Sequence, residues 1–335
     1  MDLVEKIKIK ARQEFKKIVL PESYEERTLK AADIVISDKL AQIVLIGEKE
    51  KIEIDASRLG LNNISKATII NPYSNKNKEK YVDLMVKLRA HKGLTRDEAF
   101  KLVEDPLVLA TLMIKNGDVD GELAGADNST GDVLRPAFQF VGTKPGISVV
   151  SGAFIMILKD KEFGEDGMLV FADCAVNPNP DEQQLAEIAI STAHTTKAIA
   201  GFDPRVAMLS FSTKGSAKHE LVDKVVNATL IAQKADPSLD IDGELQLDAA
   251  LVESVGLKKC PESKIAGKAN VLIFPDLQAG NIAYKMAERL AHATAFGPVL
   301  QGMAAPINDL SRGCTIDNIV NMVAVTALQA AGLDK

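Results

Sequence analysis

Short apolar segments alternate with amphipathic helical patterns along most of the chain, and this rhythm constrains the fold more than any other feature. In the first half, strands are predicted at residues 17–20, 41–46 and 67–70. Ser23 and Glu26, spaced as in a capping box, predict that a helix begins after the first strand. Helical patterns also cover 76–91 and 97–103. Because parallel strands need a crossover connection, usually a helix, this rhythm predicts an α/β protein with mostly parallel sheets and helices on both faces.

The second half continues the rhythm with one departure. Strands are predicted at 147–158 and 167–172, and the charged segment 159–166 between them has the composition of a hairpin tip. Further strands, each followed by a polar loop and a helical pattern, are predicted at 206–211, 245–247 and 270–274. The segment 142–146, Gly-Thr-Lys-Pro-Gly, is the best candidate for a hinge between two domains.

Length and composition favour two domains and argue against a nucleic-acid partner. The chain has 335 residues, with 46% hydrophobic residues, only 4% aromatic residues and no Trp, so the core is predicted to consist of Leu, Ile, Val and Ala. The net charge is −6, and no run of Lys and Arg is interleaved with aromatic residues, which argues against nucleic-acid binding. An acidic protein binds an anion only where several basic side chains lie close together. Arginines in loops are therefore the candidate anion-binding residues.

The sequence predicts neither a metal site nor a membrane segment. Its three cysteines, Cys174, Cys260 and Cys314, are widely spaced, and only four histidines accompany them, so a zinc site is not expected. Sparse cysteines fit reduced thiols and predict a cytosolic protein. The N-terminus lacks the apolar core of a signal peptide, and no window of about 20 residues is apolar and uncharged, so no membrane partner is expected.

Ligands of open α/β sheets bind in the loops at the carboxyl ends of the strands. Neither the GxxxxGK[ST] nor the GxGxxG pattern occurs, so neither a Walker NTPase nor a standard dinucleotide fold is supported. The loop 125–136, GADNSTGDVLRP, follows a short strand, and either Ser129 or Thr130 is predicted to cap the next helix. Free N–H groups, small hydroxyls and the guanidinium of Arg135 together predict an anion site. The alternative is a capped surface helix with an exposed arginine.

Two more loops carry weaker candidates. The loop 211–217, FSTKGSA, combines Ser212, Thr213 and Lys214, which is typical of a cradle for a small anion or an acyl group; an ordinary polar loop is the alternative. The loop 171–182 contains Cys174 as a candidate nucleophile. No histidine lies near it in sequence, and a small, half-buried structural residue is the favoured interpretation.

The segment 308–318, NDLSRGCTIDN, gives the sharpest signal because it precedes a long helix with an apolar stripe. Ser311 and Arg312 fall in the turn before this helix, and Asp317 and Asn318 fall in its first turn. A Ser-Arg-Gly turn at the positive end of a helix dipole suits an anionic ligand, although a carboxylate there is also ordinary dipole complementation. Arg89, near the end of an earlier helix, would by itself be read as an exposed surface arginine.

Several segments together resemble phosphate acetyltransferases, and the resemblance extends over nearly the whole chain. The segments are KLRAHKGLT, GADNSTGDVLRPAFQ, FADCAVNPNP, MLSFSTKGSA, DGELQLDAAL, VLIFPDLQAGNIAYK and GPVLQGMAAPINDLSRGC. The resemblance implies reversible acetyl transfer between acetyl-CoA and inorganic phosphate, with coenzyme A as a substrate and no bound organic cofactor. It also implies a homodimer.

The resemblance further implies two doubly wound α/β domains like those of isocitrate and isopropylmalate dehydrogenases, with the active site in the cleft between them. The first domain would comprise 1–145 and 300–335, and the second 146–299. Matched by position, the residues implicated in substrate binding and catalysis are Arg89, Arg135, Ser311 and Arg312, and the hydroxyls near phosphate are Ser129 and Thr130.

One position departs from the family pattern. Family members often carry an acid seven residues after the serine of the Ser-Arg-Gly turn, proposed as the base for the thiol of coenzyme A. Here that position is Asn318, and Asp317 precedes it. One residue along a helix rotates a side chain by about 100°. Either Asp317 replaces the family acid or the base is dispensable. The expected mechanism is direct attack of the thiolate in a ternary complex, without an acyl-enzyme.

The sequence is compatible with three other functions. A phosphate butyryltransferase is the nearest alternative: the segments NDLSRGC and DCAVNPNP favour acetyl, but the size of the acyl pocket cannot be read from the sequence. A nucleotide-dependent decarboxylating dehydrogenase would share the fold class. A non-catalytic regulatory module is the third alternative, and the retained Ser-Arg-Gly turn argues against it.

Overall fold

The computed structural model describes residues 3–333. The chain divides into two compact units: unit 1 comprises the residues up to Thr143 and those from Met303 onward, and unit 2 is Lys144–Gly302. Among the described residues, unit 1 has a sheet of five strands and unit 2 has a separate sheet of six strands. The chain therefore enters unit 1, builds unit 2 and then returns to unit 1.

Helices and strands alternate through the first part of unit 1. In chain order they are α1 (Leu3–Glu14), β1 (Lys17–Leu20), α2 (Glu26–Ser37), β2 (Gln42–Ile46), α3 (Lys49–Arg58), β3 (Thr68–Ile70), α4 (Lys78–Arg89), α5 (Arg96–Leu102), α6 (Pro106–Asn116), β4 (Gly121–Ala124) and α7 (Thr130–Pro136). Short 3-10 turns lie at Ile64–Lys66 and Ala90–Lys92, and a π-helical segment, Ala137–Val141, continues α7.

Unit 2 and the returning segment complete the fold. In chain order the elements are β5 (Ser151–Ile157), β6 (Met168–Ala172), α8 (Glu182–Thr195), β7 (Arg205–Leu209), α9 (Glu220–Ala235), β8 (Asp240–Leu245), α10 (Leu247–Leu251), α11 (Glu253–Lys259), β9 (Val271–Ile273), α12 (Leu277–Leu290), β10 (Thr294–Gln301), β11 (Ile307–Asp309) and α13 (Ile316–Leu333). A π-helical segment, Thr196–Ala200, follows α8. The last two elements belong to unit 1.

The sheet of unit 1 is parallel throughout and places β1 at its centre. The strand order is β11-β4-β1-β2-β3, and every neighbouring pair is parallel. The carboxyl ends of β1, β4 and β11 therefore lie side by side at one edge of the sheet. Helix α13 packs against α1 and α2 and over β4, which buries its apolar stripe.

The sheet of unit 2 is mixed. Its order is β10-β5-β6-β9-β7-β8, with β5 antiparallel to both β10 and β6 and the remaining pairs parallel. Strands β5 and β6 form the hairpin predicted around 159–166. The predicted α/β class with parallel sheets is confirmed, and the likeness to the dehydrogenases stays a prediction.

Some local predictions were wrong, and each error has a physical cause. The strand predicted at 245–247 is β8, which ends at Leu245, whereas Leu247 begins α10. Polar residues fill β8 because it lies at the edge of the sheet. The hydroxyl of Ser23 does not cap α2 but donates to Ile46 O at 2.6 Å, and Glu25 is the cap. Helix α6 was missed because it is apolar on nearly all sides, a pattern that lacks the helical period.

We expect Ile18→Ala to lower the free energy of unfolding by about 2–5 kcal/mol, because Ile18 is fully buried in the central strand and truncation leaves a cavity. Ile54→Ala is the matched control, since Ile54 is 67% exposed on α3 and should change stability by less than about 0.5 kcal/mol. Urea unfolding followed by circular dichroism measures both. Equal effects of the two substitutions would contradict the assigned core.

Candidate functional site

Three loops meet at the carboxyl edge of the unit 1 sheet. They are residues 21–25 after β1, 125–129 after β4 and 310–315 after β11. Because β11, β4 and β1 are adjacent and parallel, these loops are neighbours although they come from distant parts of the sequence. Most of the predicted site residues of unit 1 lie on two of these loops or on the helices that follow them.

Glu22 holds the loop after β4 in place. Glu22 is 2% exposed, and its carboxyl group accepts hydrogen bonds from the backbone N–H groups of Ala126 (2.8 Å), Asp127 (3.1 Å) and Asn128 (2.8 Å). The side-chain amide of Asn128 also donates to it at 2.8 Å. These N–H groups already donate to Glu22 and are not available to a ligand. An anion bound here would have to bond groups at the start of α7 and nearby side chains instead.

Ser129 is the residue that caps α7. Its Oγ accepts from the backbone N–H of Asp132 at 3.3 Å and donates to the Asp132 carboxyl at 2.7 Å. Thr130, the first residue of α7, donates instead to Oδ2 of Asp309 at 2.5 Å. Asp309 is 5% exposed, and burial raises its pKa to about 6. Sequence reasoning did not single out Asp309, although it lies two residues before Ser311 of the Ser-Arg-Gly turn.

Arg27 joins the other two loops to each other and was also missed. Its Nη1 donates to the backbone oxygens of Arg312 (2.9 Å) and Cys314 (2.8 Å), and its Nη2 donates to Ala126 O (2.8 Å). Glu25 accepts from Nε at 2.8 Å and raises the pKa of Arg27. A single guanidinium thus fixes the backbone of the Ser-Arg-Gly turn against the loop after β4.

The Ser-Arg-Gly turn presents its side chains to solvent. Ser311, Arg312 and Asp317 are all exposed, and Ser311 Oγ accepts a weak hydrogen bond from Gly313 N at 3.3 Å. Within residues 3–333, neither the Arg312 guanidinium nor the Asp317 carboxylate has a hydrogen-bond or ion-pair partner, whereas the Arg312 backbone is held by Arg27. These two side chains are therefore available to a ligand.

Asn318 has a structural role at the start of α13. Its Oδ1 accepts from the backbone N–H of Thr315 (2.9 Å) and from Thr315 Oγ1 (3.0 Å), and Thr315 Oγ1 in turn accepts from Asn318 N (3.2 Å). This reciprocal pair caps the helix. The oxygen of Asn318 is thus committed, and Asp317 is left as the carboxylate of the first turn.

The two remaining arginines among the predicted site residues, Arg135 and Arg89, are also weakly held. Arg135 is 69% exposed at its side chain, and its one partner in the described structure is Asp132, at 3.6 Å. Arg89 is the last residue of α4 and is half-buried, without a partner for its guanidinium in the part of the chain described. Guanidinium groups without a firm partner are available to form bidentate hydrogen bonds to an anion.

In unit 2 the structure gives the FSTKGSA loop internal partners. Ser212 is buried and donates to Glu244 Oε1 at 2.8 Å, and Thr213 Oγ1 donates to Gln246 Oε1 at 3.2 Å. The ammonium of Lys214 bonds the Asp242 carboxylate and Gly243 O. These contacts close the loop onto β8, so a ligand here would have to replace bonds that already exist.

The three cysteines are free and buried. Burial raises the pKa of Cys174 well above its usual value, and the same cause raises the pKa of Cys314. A buried, protonated thiol is a poor nucleophile, so the structural interpretation of Cys174 is favoured. The loop that carries it is organised by Asp173, whose carboxyl group accepts from the backbone N–H groups of Gly152, Ala175, Val176 and Asn177.

No cluster of three or more His, Cys, Asp or Glu side chains among residues 3–333 could hold a metal ion. In the same range, no helix combines the length and the apolar character needed to cross a membrane.

We expect Arg27→Gln to loosen the Ser-Arg-Gly turn, because the shorter amide cannot reach the three backbone oxygens that the guanidinium bonds. Amide hydrogen exchange of residues 310–315 should become several-fold faster. Arg58→Gln is the control, since Arg58 is an exposed arginine whose partners Glu26 and Asp55 lie outside the three loops. Unchanged exchange in Arg27→Gln would show that the turn does not depend on Arg27.

Known proteins match this chain over nearly its whole length. The family model described as "Phosphate acetyl/butaryl transferase" matches residues 2–327. The phosphate acetyltransferase of Clostridium acetobutylicum is 53% identical over 330 residues, covering 98% of this chain and 99% of that protein. The phosphate acetyltransferase of Thermoanaerobacterium thermosaccharolyticum is also 53% identical over 330 residues, covering 98% of this chain and all of that protein.

Solved structures give the same result. A phosphotransacetylase from Streptococcus pyogenes superposes with a TM-score of 0.93 at 42% identity, covering 99% of this chain and 100% of that one. A phosphotransacetylase from Staphylococcus aureus gives a TM-score of 0.91 at 44% identity, with 98% of each chain covered. A motif set, a family model and two close structures point the same way: the chain belongs to the phosphate acetyl/butaryl transferase family, which is a family of acyltransferases.

Proposed function

We propose that this protein is a phosphate acetyltransferase that moves an acetyl group reversibly between coenzyme A and inorganic phosphate. The observation that carries the proposal is the exposed Ser311–Arg312 turn at the start of α13, within a chain whose full-length relatives are named for this activity. Arg27 fixes the backbone of the turn while its side chains stay available, which is the arrangement expected of a ligand site.

In the proposed site, Arg312 and Arg135 hold the phosphate group and neutralise the charge that develops on it. The hydroxyls of Ser129 and Thr130 lie at the start of α7, on the loop beside the Ser-Arg-Gly turn. Arg89 supplies a further positive charge for the anionic substrates. Ser212, Thr213 and Lys214 remain candidates for substrate contact in unit 2. A substrate there would replace their present bonds to Glu244, Gln246 and Asp242, respectively.

We propose that the thiolate of coenzyme A attacks the acetyl carbonyl carbon directly, in a complex that contains both substrates. The sulfur–carbon bond forms, the bond to the phosphate oxygen breaks, and phosphate leaves with the electron pair. Free thiols have a pKa of about 8.5, so the proton must be removed near neutral pH. Asp317 is the proposed base, Ser311 the hydrogen-bond partner of the thiol, and the N-terminus of the 18-residue helix α13 favours the thiolate.

Two observations support transfer without an acyl-enzyme. Cys174 is buried with a raised pKa, and Cys314 is 8% exposed and also has a raised pKa. Ser311 has no histidine or other base among its hydrogen-bond partners in the described structure. Cys174, Cys314 and Ser311 therefore lack the activation that a covalent nucleophile requires.

We propose further that the protein is a cytosolic homodimer and works without a bound organic cofactor. Three free thiols support a reducing compartment. Helix α12 supports association, because Ile282, Met286 and Leu290 are 58%, 53% and 73% exposed at successive i, i+4 positions, forming an apolar stripe.

The wild-type protein should form acetyl-CoA rapidly from acetyl phosphate and coenzyme A, measured by thioester absorbance. Arg312→Ala should lower kcat by about 10²–10³-fold, because it removes a charged donor at the phosphate. Arg312→Lys should recover only part of the loss, since the planar fork is gone. Arg58→Ala should be silent. Faster turnover of butyryl phosphate would favour a butyryltransferase, and no turnover of either donor by folded protein would refute both activities.

Asp317→Asn should lower kcat/KM by about 10²-fold near neutral pH, because the thiol loses its base. The deficit should shrink as the pH approaches about 8.5, where free thiols ionise without help. Asp97→Asn removes an equal charge from another exposed position and should have no effect. A rate and pH profile identical to wild type would exclude Asp317 as the base.

A further inference from the structure

Asp309 and Thr130 join two loops of the site and have no part in the removal of the thiol proton described above. Thr130 Oγ1 donates to Asp309 Oδ2 at 2.5 Å. Asp309 is 5% exposed at the end of β11, whereas Thr130 is exposed at the start of α7. A buried acid thus sets the direction of an exposed hydroxyl, at the place where the proposed function puts phosphate.

The surroundings of Asp309 leave its carboxyl group with one hydrogen bond. Oδ1 is buried and has no hydrogen-bond partner within the described residues. The backbone of Gly125, with φ +97°, approaches so closely that a Cβ atom there would lie 2.2 Å from Oδ1. Thr130 is therefore the only side chain in the described structure through which Asp309 can act by a hydrogen bond.

The protonation of Asp309 decides what Thr130 offers to a ligand. A threonine hydroxyl has one proton and two acceptor lone pairs, and an ionised carboxylate only accepts. With Asp309 ionised, the proton of Thr130 is committed inward, and the exposed side of Oγ1 can only accept. With Asp309 protonated, the acid can donate to Oγ1 and release the Thr130 proton to a ligand. Burial raises the pKa of Asp309 to about 6, so both states are accessible near neutral pH.

The two phosphate substrates of the proposed reaction differ in whether their phosphate group can donate a hydrogen bond. Inorganic phosphate near neutral pH keeps at least one P–OH group, which can donate. Acetyl phosphate is then a dianion whose phosphoryl oxygens only accept. A site that presents an acceptor suits the first molecule, and a site that presents a donor suits the second.

We propose that the Asp309–Thr130 pair distinguishes the two phosphate substrates by the direction of one hydrogen bond. Thr130 accepts from the P–OH of inorganic phosphate while Asp309 is ionised, and acetyl phosphate binds with uptake of one proton by Asp309, so that Thr130 donates to it. After the reaction, Asp309 is ionised again while inorganic phosphate is bound. One proton per turnover therefore returns to solvent by the time inorganic phosphate has left the site. The inference rests on the proposed function, and Asp309 is a positioning residue that acts through Thr130.

Further charged groups lie on the elements around Asp309. Glu22, on the loop after β1, raises the pKa of Asp309 further because two negative charges repel. Burial raises the pKa of Glu122, on the adjacent strand β4, to about 8, and its hydrogen-bond partner is Thr111. The charged residues of the helices packed against β11 are Asp132 and Arg135 on α7 and Asp317 on α13.

The test compares the pH dependence of KM for the two substrates. In the wild-type protein, KM for acetyl phosphate should rise ~tenfold for each pH unit above the pKa of Asp309, because only the protonated form binds it well. KM for inorganic phosphate should lack this rise. Calorimetry of acetyl phosphate binding without coenzyme A, in two buffers of different ionisation enthalpy, should show uptake of close to one proton per site at about pH 7.5.

Two variants separate the inference from a structural role. Asp309→Asn carries an amide that donates to Thr130 Oγ1 at every pH, so KM for acetyl phosphate should become low and independent of pH, without proton uptake. Thr130→Val keeps the shape but removes the hydroxyl, so KM should rise and also lose its pH dependence. Asp97→Asn should behave as wild type. If Asp309→Asn does not fold, the pH dependence of KM in Thr130→Val still tests the inference.

The measurements distinguish failure of this inference from failure of the proposed function. If the wild type forms no acetyl-CoA, the proposed function fails. If it turns over but the rise in KM persists in Asp309→Asn or Thr130→Val, or if binding takes up no proton, the inference is overturned while the proposed function stands.

Discussion

The candidate site depends on one buried carboxyl group. Glu22 accepts four hydrogen bonds from the loop after β4, three of them from consecutive backbone N–H groups. A buried polar group is costly unless it is bonded, so this arrangement strongly favours a single conformation of the loop. The start of α7, with Ser129 and Thr130, is placed by this loop. The loop after β1 thereby fixes a loop of the candidate site that lies 104 residues further along the chain.

The three loops are tied together in pairs by polar contacts. Glu22 joins the loops after β1 and β4, Arg27 joins both to the Ser-Arg-Gly turn, and Asp309 joins β11 to the start of α7. Each tie uses backbone groups or small hydroxyls and leaves the guanidinium of Arg312 without a partner in the described structure. The site thus combines a rigid backbone with side chains that are free to bind an anion, which is how preorganised sites lower the cost of binding.

Most of the strands, and the helices with a clear apolar stripe, could be predicted from the sequence. The alternation of short apolar segments with helical patterns is a local signal, and it placed β1 to β4 and the long helix α13 to within a few residues. The prediction failed where burial or pairing erases that signal. Helix α6 is buried almost all round, and β10 and β11 pair with strands that lie more than a hundred residues earlier. Ser23 has the spacing of a cap, but its hydroxyl bonds Ile46 O on the next strand instead.

For the site, the sequence by itself determined the set of candidate residues: the hydroxyls of Ser129 and Thr130, the turn at Ser311 and Arg312, and an acid at 317 rather than 318. These are short motifs with their own local geometry, and the resemblance to phosphate acetyltransferases rests on them. Only the tertiary structure decided that Glu22, Arg27 and Asp309 hold them in place. The physical reason is that parallel pairing of β11, β4 and β1 brings together residues separated by up to 287 positions, as in the bond from Arg27 to Cys314. No local pattern encodes a contact of that kind.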